Sequence, residues 1–277
     1  MELTFLGTGG SWPSARRNVS SLALKRGSEV VLFDCGEGTQ RQFQRSDISY
    51  MATSKIFFTH LHGDHILGLP GLMQTMDLNE REDPLEIYGP PGIKRYVSLT
   101  MSRPLPGLSY PVEVTEIDDG TTVCFDEYVV VARPKFSKLQ QGEAVEAEDG
   151  SIVEPEQVLG DPRRGRKITY TGDCRPCEAS VELAYRSDVL VHEATFAVES
   201  ERAHEVGHST AAQAAWIADK AEVRQLFLTH LSPRYEDPEP VEDEARKVFE
   251  GAEVAEDLDT FTVKFPPDEP PEVLEGP

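Results

Sequence analysis

Apolar runs of four or five residues recur along the chain, each bounded by turn-forming or charged residues. They predict buried strands at Leu3–Leu6, Val30–Phe33, Lys55–Thr59, Tyr128–Ala132, Lys167–Thr171, Asp188–Val191 and Gln225–Thr229. Between them, longer stretches with helical periodicity predict helices at Gly38–Arg45, Gly71–Leu78, Gly92–Thr100, Cys177–Tyr185, Thr210–Lys220 and Glu242–Phe249. Strands alternating with helices imply an α/β architecture. Residues 133–166 break the pattern with charge, Gly and Pro, and read as a surface excursion between an N-terminal and a C-terminal half. The tail Phe265–Pro277 is acidic and Pro-rich and is expected to be disordered. No short-period repeat is visible.

With 277 residues, 39% of them hydrophobic and 8% aromatic, the chain can bury a sizeable core. That composition excludes a coiled coil, a collagen-like chain and a mostly disordered one. No apolar run approaches the roughly 20 residues of a membrane span. The first ten residues lack a basic region followed by an apolar one, so the expected compartment is the cytoplasm. Four cysteines in such a chain are expected to stay reduced, with Cys35 and Cys124 as buried thiols.

The formal net charge of -22 first argues against nucleic acid, whose binding normally needs a basic surface. The cations complicate that reading, because the chain has 9 Lys against 18 Arg. An acidic surface poor in Lys also suits concentrated salt, where repulsion is screened to within about 3 Å at 1 M. Composition does not choose between the two.

Four of the predicted strands run straight into polar residues: His60, Asp173, His192-Glu193 and His230. Functional groups gather at the C-terminal ends of strands in α/β sheets because those ends share a rim. The densest segment is His60-Leu-His62-Gly-Asp64-His65. His60 and His62 on extended backbone can face one cation, while Asp64 and His65 turn toward a second position, with Gly63 easing the bend. Imidazole with carboxylate suits Zn²⁺, and Mn²⁺ or Fe less well. Asp173 could bridge two metals, or be a strand-end turn residue. His230 could be a ligand or a core histidine. For His192, core hydrogen bonding is as good a reading as a functional one. Two cations about 3.5–4 Å apart could stabilise both the attacking and the leaving oxygen of a phosphodiester. His208 precedes Thr210-Ala-Ala-Gln213, which fits a capping box, so it lies beside a helix N-terminus that favours phosphate. That placement suits a general acid, with Glu193 orienting it or raising its pKa. His204 lacks such a context and reads as a surface residue. Cys174-Arg-Pro-Cys177 has redox spacing, a reading discounted because it follows Asp173. Arg163-Arg-Gly-Arg166 is the densest basic run, read as a phosphate contact over an exposed turn.

These residues resemble the metallo-β-lactamase superfamily through His60-x-His62-x-Asp64-His65, and within it the ribonuclease Z family. The resemblance extends over Phe5–Gly10, Phe33–Gln40, Phe58–His65, Gly68–Gly71, Tyr88–Pro90, Thr171–Asp173, His192–Thr195, Gly207–Gln213 and Leu228–Tyr235. It implies a four-layer αβ/βα sandwich over residues 1–264, a homodimer, two zinc ions per subunit and precursor tRNA as substrate. By the same resemblance His60, His62 and Asp173 would hold one zinc, and Asp64, His65, Asp173 and His230 the other. Asp64 would also act as general base and His208, supported by Glu193, as general acid. Asp34 would brace the histidine loop.

Two departures from the family stand out. No histidine occurs from 66 to 191, where the family has a further metal ligand. Near residues 132–136 a block is missing that would carry the tRNA-binding arm; a natural loss, an engineered deletion and a segment left out of the sequence all fit. In addition, Ala15 stands in Pro13–Asn18 where the family often has Lys. Two other readings therefore stand beside the first. One is another phosphodiesterase or a sulfatase-like hydrolase of this fold; the other is an impaired RNA-binding form without the arm and one metal ligand.

Overall fold

The computed structural model describes residues 1–102, 107–118, 120–125, 128–132, 145–146, 152–153 and 165–265. Its strands in chain order are β1 (Glu2–Gly7), β2 (Ser21–Arg26), β3 (Glu29–Phe33), β4 (Thr53–Phe57), β5 (Leu85–Gly89), β6 (Val112–Glu116), β7 (Thr121–Phe125), β8 (Tyr128–Ala132), β9 (Val145–Glu146), β10 (Ile152–Val153), β11 (Ile168–Tyr170), β12 (Val189–Glu193), β13 (Leu226–Thr229), β14 (Ala252–Val254) and β15 (Thr260–Thr262). The helices are α1 (Thr39–Arg45), α2 (Gly63–Ile66), α3 (Leu69–Leu78), α4 (Ile93–Thr100), α5 (Glu178–Ala184), α6 (Ser200–Val206), α7 (Ala211–Lys220) and α8 (Glu239–Arg246). Most of the excursion at 133–166 and the tail beyond 265 lie outside the described residues.

Two main sheets form. The first has the order β15-β1-β2-β3-β4-β5-β6, antiparallel from β15 to β3 and parallel from β3 to β6. The second, β11-β12-β13-β14, is parallel throughout. Side chains alternate across a strand, and the alternation sets the layers. On β3 and β4, Val30, Leu32 and Ile56 pack with Phe43 of α1 and with Leu72, Met73 and Met76 of α3. On the second sheet, Leu190, Leu226 and Leu228 meet Ala214, Ala215 and Ile217 of α7. The opposite faces of the two sheets, through Leu3, Phe5, Val189, Val191 and Phe227, close on each other. The result is helix, sheet, sheet, helix: the four-layer αβ/βα sandwich.

The hairpin of β7 with β8 covers the part of the first sheet that the second sheet does not reach, over Val31, Phe57 and Tyr88. This corrects the expectation for Cys124. Phe125 and Val123 of β7 face that cluster, so Cys124 between them points the other way and is exposed. All four cysteines are free. The bend foreseen at Gly63 is instead one turn of helix, α2, which begins just after His62. Among the described residues no helix is long and apolar enough to cross a membrane.

Phe227 sits at the centre of the sheet-to-sheet layer, its ring 5.2 Å from that of Phe5 and 5.0 Å from that of Phe261. Truncating such a ring leaves a cavity between two rigid sheets. Phe227→Ala is expected to lower the unfolding free energy by about 3–5 kcal/mol in urea titrations.

Candidate metal centre

Both sheets end at one rim. The first supplies Asp34 after β3 and the segment His60–His65 after β4; the second supplies Asp173 after β11, Glu193 at the end of β12 and His230 after β13. Asp34 and His230 both take φ of 57°, a left-handed conformation that costs a non-glycine residue about 1–3 kcal/mol. Two glycines let the backbone crowd this rim. A Cβ at Gly10 would stand 2.5 Å from the His230 ring, and one at Gly36 would stand 2.3 Å from the Asp64 carbonyl oxygen.

Asp173 lies at the middle of the cluster. Its Oδ1 is 3.2 Å from His65 Nε2 and 3.2 Å from His230 Nε2, while its Oδ2 is 3.6 Å from His60 Nε2. Asp64 Oδ2 is 3.2 Å from His230 Nε2 and 3.8 Å from His65 Nε2. His208 Nδ1 is 2.9 Å from Glu193 Oε1 and 4.0 Å from Asp173 Oδ2. Donor atoms lie within 4.8 Å of one another in three groups: His60, His65 and Asp173; Asp64, His65 and His230; Asp173, His208 and His230. His62 is in none of them and meets the cluster through His60, whose Nε2 is 3.0 Å from its Nδ1. His204 is exposed, and His192 is buried with its ring nitrogens on the Glu193 carbonyl (2.8 Å) and the Cys174 sulfur (3.4 Å). Core hydrogen bonding is thus what His192 does here. Arg166 donates to the Val263 carbonyl and lies over the Phe265 ring; Arg163 and Arg164 lie outside the described residues.

Hydrogen bonds behind the histidines set which nitrogen faces inward. Asp34 has only acceptor oxygens, so His65 must donate to it from Nδ1, at 2.8 Å. The Thr59 hydroxyl donates to Asp34 and therefore accepts from His60 Nδ1 at 3.0 Å. The Thr195 hydroxyl donates to Glu193 and therefore accepts from His230 Nδ1 at 2.9 Å. Three imidazoles thus direct Nε2 toward the two aspartates. Within this ring His65 Nε2 and Asp173 Oδ1 are buried and have no hydrogen-bond partner in the protein. A divalent cation satisfies both, so the donor set fits a metal.

Thr59, Tyr170 and Thr195 are ordinary strand-end residues in the sequence and gain their roles from partners that folding supplies: Tyr170 hydrogen-bonds Asp34 from the other sheet, 136 residues away, and Thr195 meets His230, 35 away. Asp257 is equally unmarked in the sequence and clamps the loop carrying Ser11, whose N–H donates to Asp64 Oδ2 at 2.7 Å.

Protein groups alone already polarise the cluster. Burial would raise the Asp64 and Asp173 carboxyls, but the facing His230 and His65 hold both well below the usual carboxylate range. Burial would likewise lower His65; the Asp34 and Asp173 carboxylates outweigh it and raise the pKa to about 10. Burial and the nearby His65 lower His60. His208 is raised, chiefly by its hydrogen bond to Glu193.

Residues 29–231 match the family model described as "Beta-lactamase superfamily domain". A curated ribonuclease Z of Natronomonas pharaonis is 46% identical over 305 aligned positions, covering 96% of this chain and 99% of that protein. The ribonuclease Z of Haloferax volcanii is 44% identical over 304 positions, covering 96% of each. The chain belongs to the ribonuclease Z family. It is accordingly an endoribonuclease, a hydrolase. Among solved structures, the short form of human tRNase Z is 32% identical with a TM-score of 0.71, covering 95% of this chain and all of that one. Alignment with the Natronomonas ribonuclease Z spreads 96% of a 277-residue chain over 305 positions, so the relative has residues at roughly 40 positions where this chain has none.

In chelator, the stability that protonated His65 contributes is complete below its unfolded pKa of about 6.5 and is lost as pH rises through about 10. Asp34→Asn keeps the shape and removes the charge, so it should shrink this decline. Urea midpoints at about pH 6 and about pH 10 read the difference.

Proposed function

We propose that the chain is a zinc-dependent endoribonuclease that removes the 3′ trailer from precursor tRNA. The observation that carries the reading is the inward-facing ring of His60, His65 and His230 around Asp64 and Asp173, with the His208–Glu193 pair on its border. The names of the relatives, ribonuclease Z and tRNase Z, supply the substrate class.

When bound, a pair of divalent cations supplies Lewis-acid polarisation of the phosphate and a lowered pKa for water. His60, His62 and Asp173 would hold one cation, and Asp64, His65, Asp173 and His230 the other. Asp64, kept anionic and fixed by the Ser11 N–H, takes the proton of the attacking water. His208 donates a proton to the departing 3′-oxygen. Its raised pKa keeps the imidazolium populated near neutral pH, and Glu193 fixes the ring from Nδ1, leaving Nε2 to meet the substrate. Homodimerisation, a cytoplasmic site of action and adaptation to high salt belong to the same reading, the last supported by the charge of -22 with few lysines. The roughly 40 missing positions fit loss of a tRNA-binding arm near residues 132–136, of which 133–166 would be the remnant.

That shortening favours one alternative: the chain retains phosphodiester chemistry but acts on smaller substrates. Hydrolysis of a chromogenic phosphodiester without trailer removal would select it. The main reading is tested by trailer cleavage of precursor tRNA at low and high salt, with metal content measured alongside. Asp64→Ala should abolish cleavage. His208→Ala should slow it by about 10²–10⁴-fold, the usual worth of a general acid, while His204→Ala leaves it unchanged. Equal rates for the two histidine variants would remove His208 from the mechanism.

The two metal positions should also differ in affinity. One would have four protein ligands and the other three, because no histidine occurs between 66 and 191. Calorimetric titration of zinc into chelator-treated protein is expected to show two steps, the weaker lost in His62→Ala.

A further inference from the structure

Trp12 is one of two tryptophans in the chain, and its side chain is 62% exposed. An indole left in water forgoes the burial that large aromatics normally achieve, so its position asks for a cause. Among the described residues no aromatic ring or guanidinium stacks on it.

The loop that carries Trp12 is held in place rather than free. One carboxylate, Asp257, clamps both ends: Oδ1 accepts from Thr8 N (3.0 Å) and Thr8 Oγ1 (2.7 Å), and Oδ2 accepts from Asn18 N (2.6 Å). Arg17 ties the same base from within, donating to Thr8 Oγ1 and to the Ala255 carbonyl, each at 2.6 Å. At its tip the loop is stitched to the metal centre. Gly10 N donates to the Leu231 carbonyl beside His230, Ser11 N donates to Asp64, and Trp12 N donates back to the Gly10 carbonyl at 2.8 Å. The Cα of Trp12 is therefore one 3.8 Å step from the residue that hydrogen-bonds Asp64. A fixed loop thus presents an exposed aromatic face at the border of the reacting centre.

Resting on the endoribonuclease reading, we propose that Trp12 is a specificity residue: its indole stacks on a nucleobase of a nucleotide flanking the scissile phosphate. The charge balance favours this occupant. With a net charge of -22 the chain repels the sugar-phosphate backbone, whereas a nucleobase offers a neutral π-face. Stacking also survives the salt that removes counterion-release affinity.

The test uses the full-length, metal-loaded protein. Trp216→Phe leaves Trp12 as the single indole, so its emission reports directly. On rapid mixing with precursor tRNA, emission should be quenched before cleavage, and a precursor with abasic nucleotides at the two flanking positions should give no quench. Trp12→Ala should raise KM by roughly 5–150-fold, the equivalent of about 1–3 kcal/mol of base stacking, with kcat and metal content unchanged. Trp12→Phe should recover most of the loss. Equal quenching by intact and abasic precursors, no quenching at all, or a fall in kcat with KM unchanged would each overturn the proposal. So would a Trp12→Ala effect confined to the oligomeric state in sedimentation. If wild-type protein quenches but does not cleave, the tRNA-processing reading falls while the stacking face stands.

Discussion

Asp34 is the buried charge around which the rim of the molecule is built. It is fully inaccessible, and an unpartnered carboxylate there would cost several kcal/mol. It accepts from the Thr59 N–H and hydroxyl at the end of β4, from His65 on α2 and from the Tyr170 hydroxyl on β11. Those donors come from both sheets, so satisfying one side chain fixes how the two sheets meet at their working edge. The left-handed φ of Asp34 is tolerated because four hydrogen bonds leave it no other place to go.

Glu193 does for the second sheet what Asp34 does for the first. It is buried and accepts from Cys174 N, from the Thr195 N–H and hydroxyl, and from His208 Nδ1. Through these bonds each carboxylate orients two imidazoles: Asp34 sets His65 directly and His60 by way of Thr59, and Glu193 sets His208 directly and His230 by way of Thr195. Among the described residues neither carboxylate belongs to one of the three donor groups. The tautomers of the inner ring are therefore chosen by groups that stand behind it.

How much of this is legible in the sequence follows from the range of each interaction. The strand cores at 30–33, 55–59 and 225–229 and the helix opening at Thr210 are readable because burial periodicity and the capping box are local; the box is present with both of its bonds. The histidine segment is readable because three His and one Asp stand within six residues. Eight of the fifteen described strands, β2, β5, β6, β7, β9, β10, β14 and β15, lie outside the predicted runs: Val-Glu-Val-Thr-Glu of β6 half faces solvent, and β14 and β15 are three-residue edge strands that only pairing defines. Tyr170 and Asp257 escaped for the same reason. An ordinary Asp and Tyr acquire meaning only when folding brings together residues 136 and 249 positions apart.

The net charge of -22 and the roughly 40 positions absent from this chain bear on one question, how an acidic chain holds a polyanion. Relatives of nearly full coverage carry roughly 40 positions that this chain lacks, yet the donor ring, both bracing carboxylates and the His208–Glu193 pair are all in place. The ring of His60, His65, His230, Asp64 and Asp173 is built from strand ends that the two sheets fix, so its geometry stands in a chain that lacks those positions. What remains for grip must work without a basic surface. In dilute salt a chain at -22 would repel RNA at long range; at 1 M the repulsion reaches only about 3 Å, and the attraction from arginines is screened as well. Contacts that do not depend on screening then decide binding: coordination at the centre, shape, and stacking on a fixed aromatic face. An acidic surface and a substrate made of phosphates are compatible only when recognition moves from the field of the protein to its contacts.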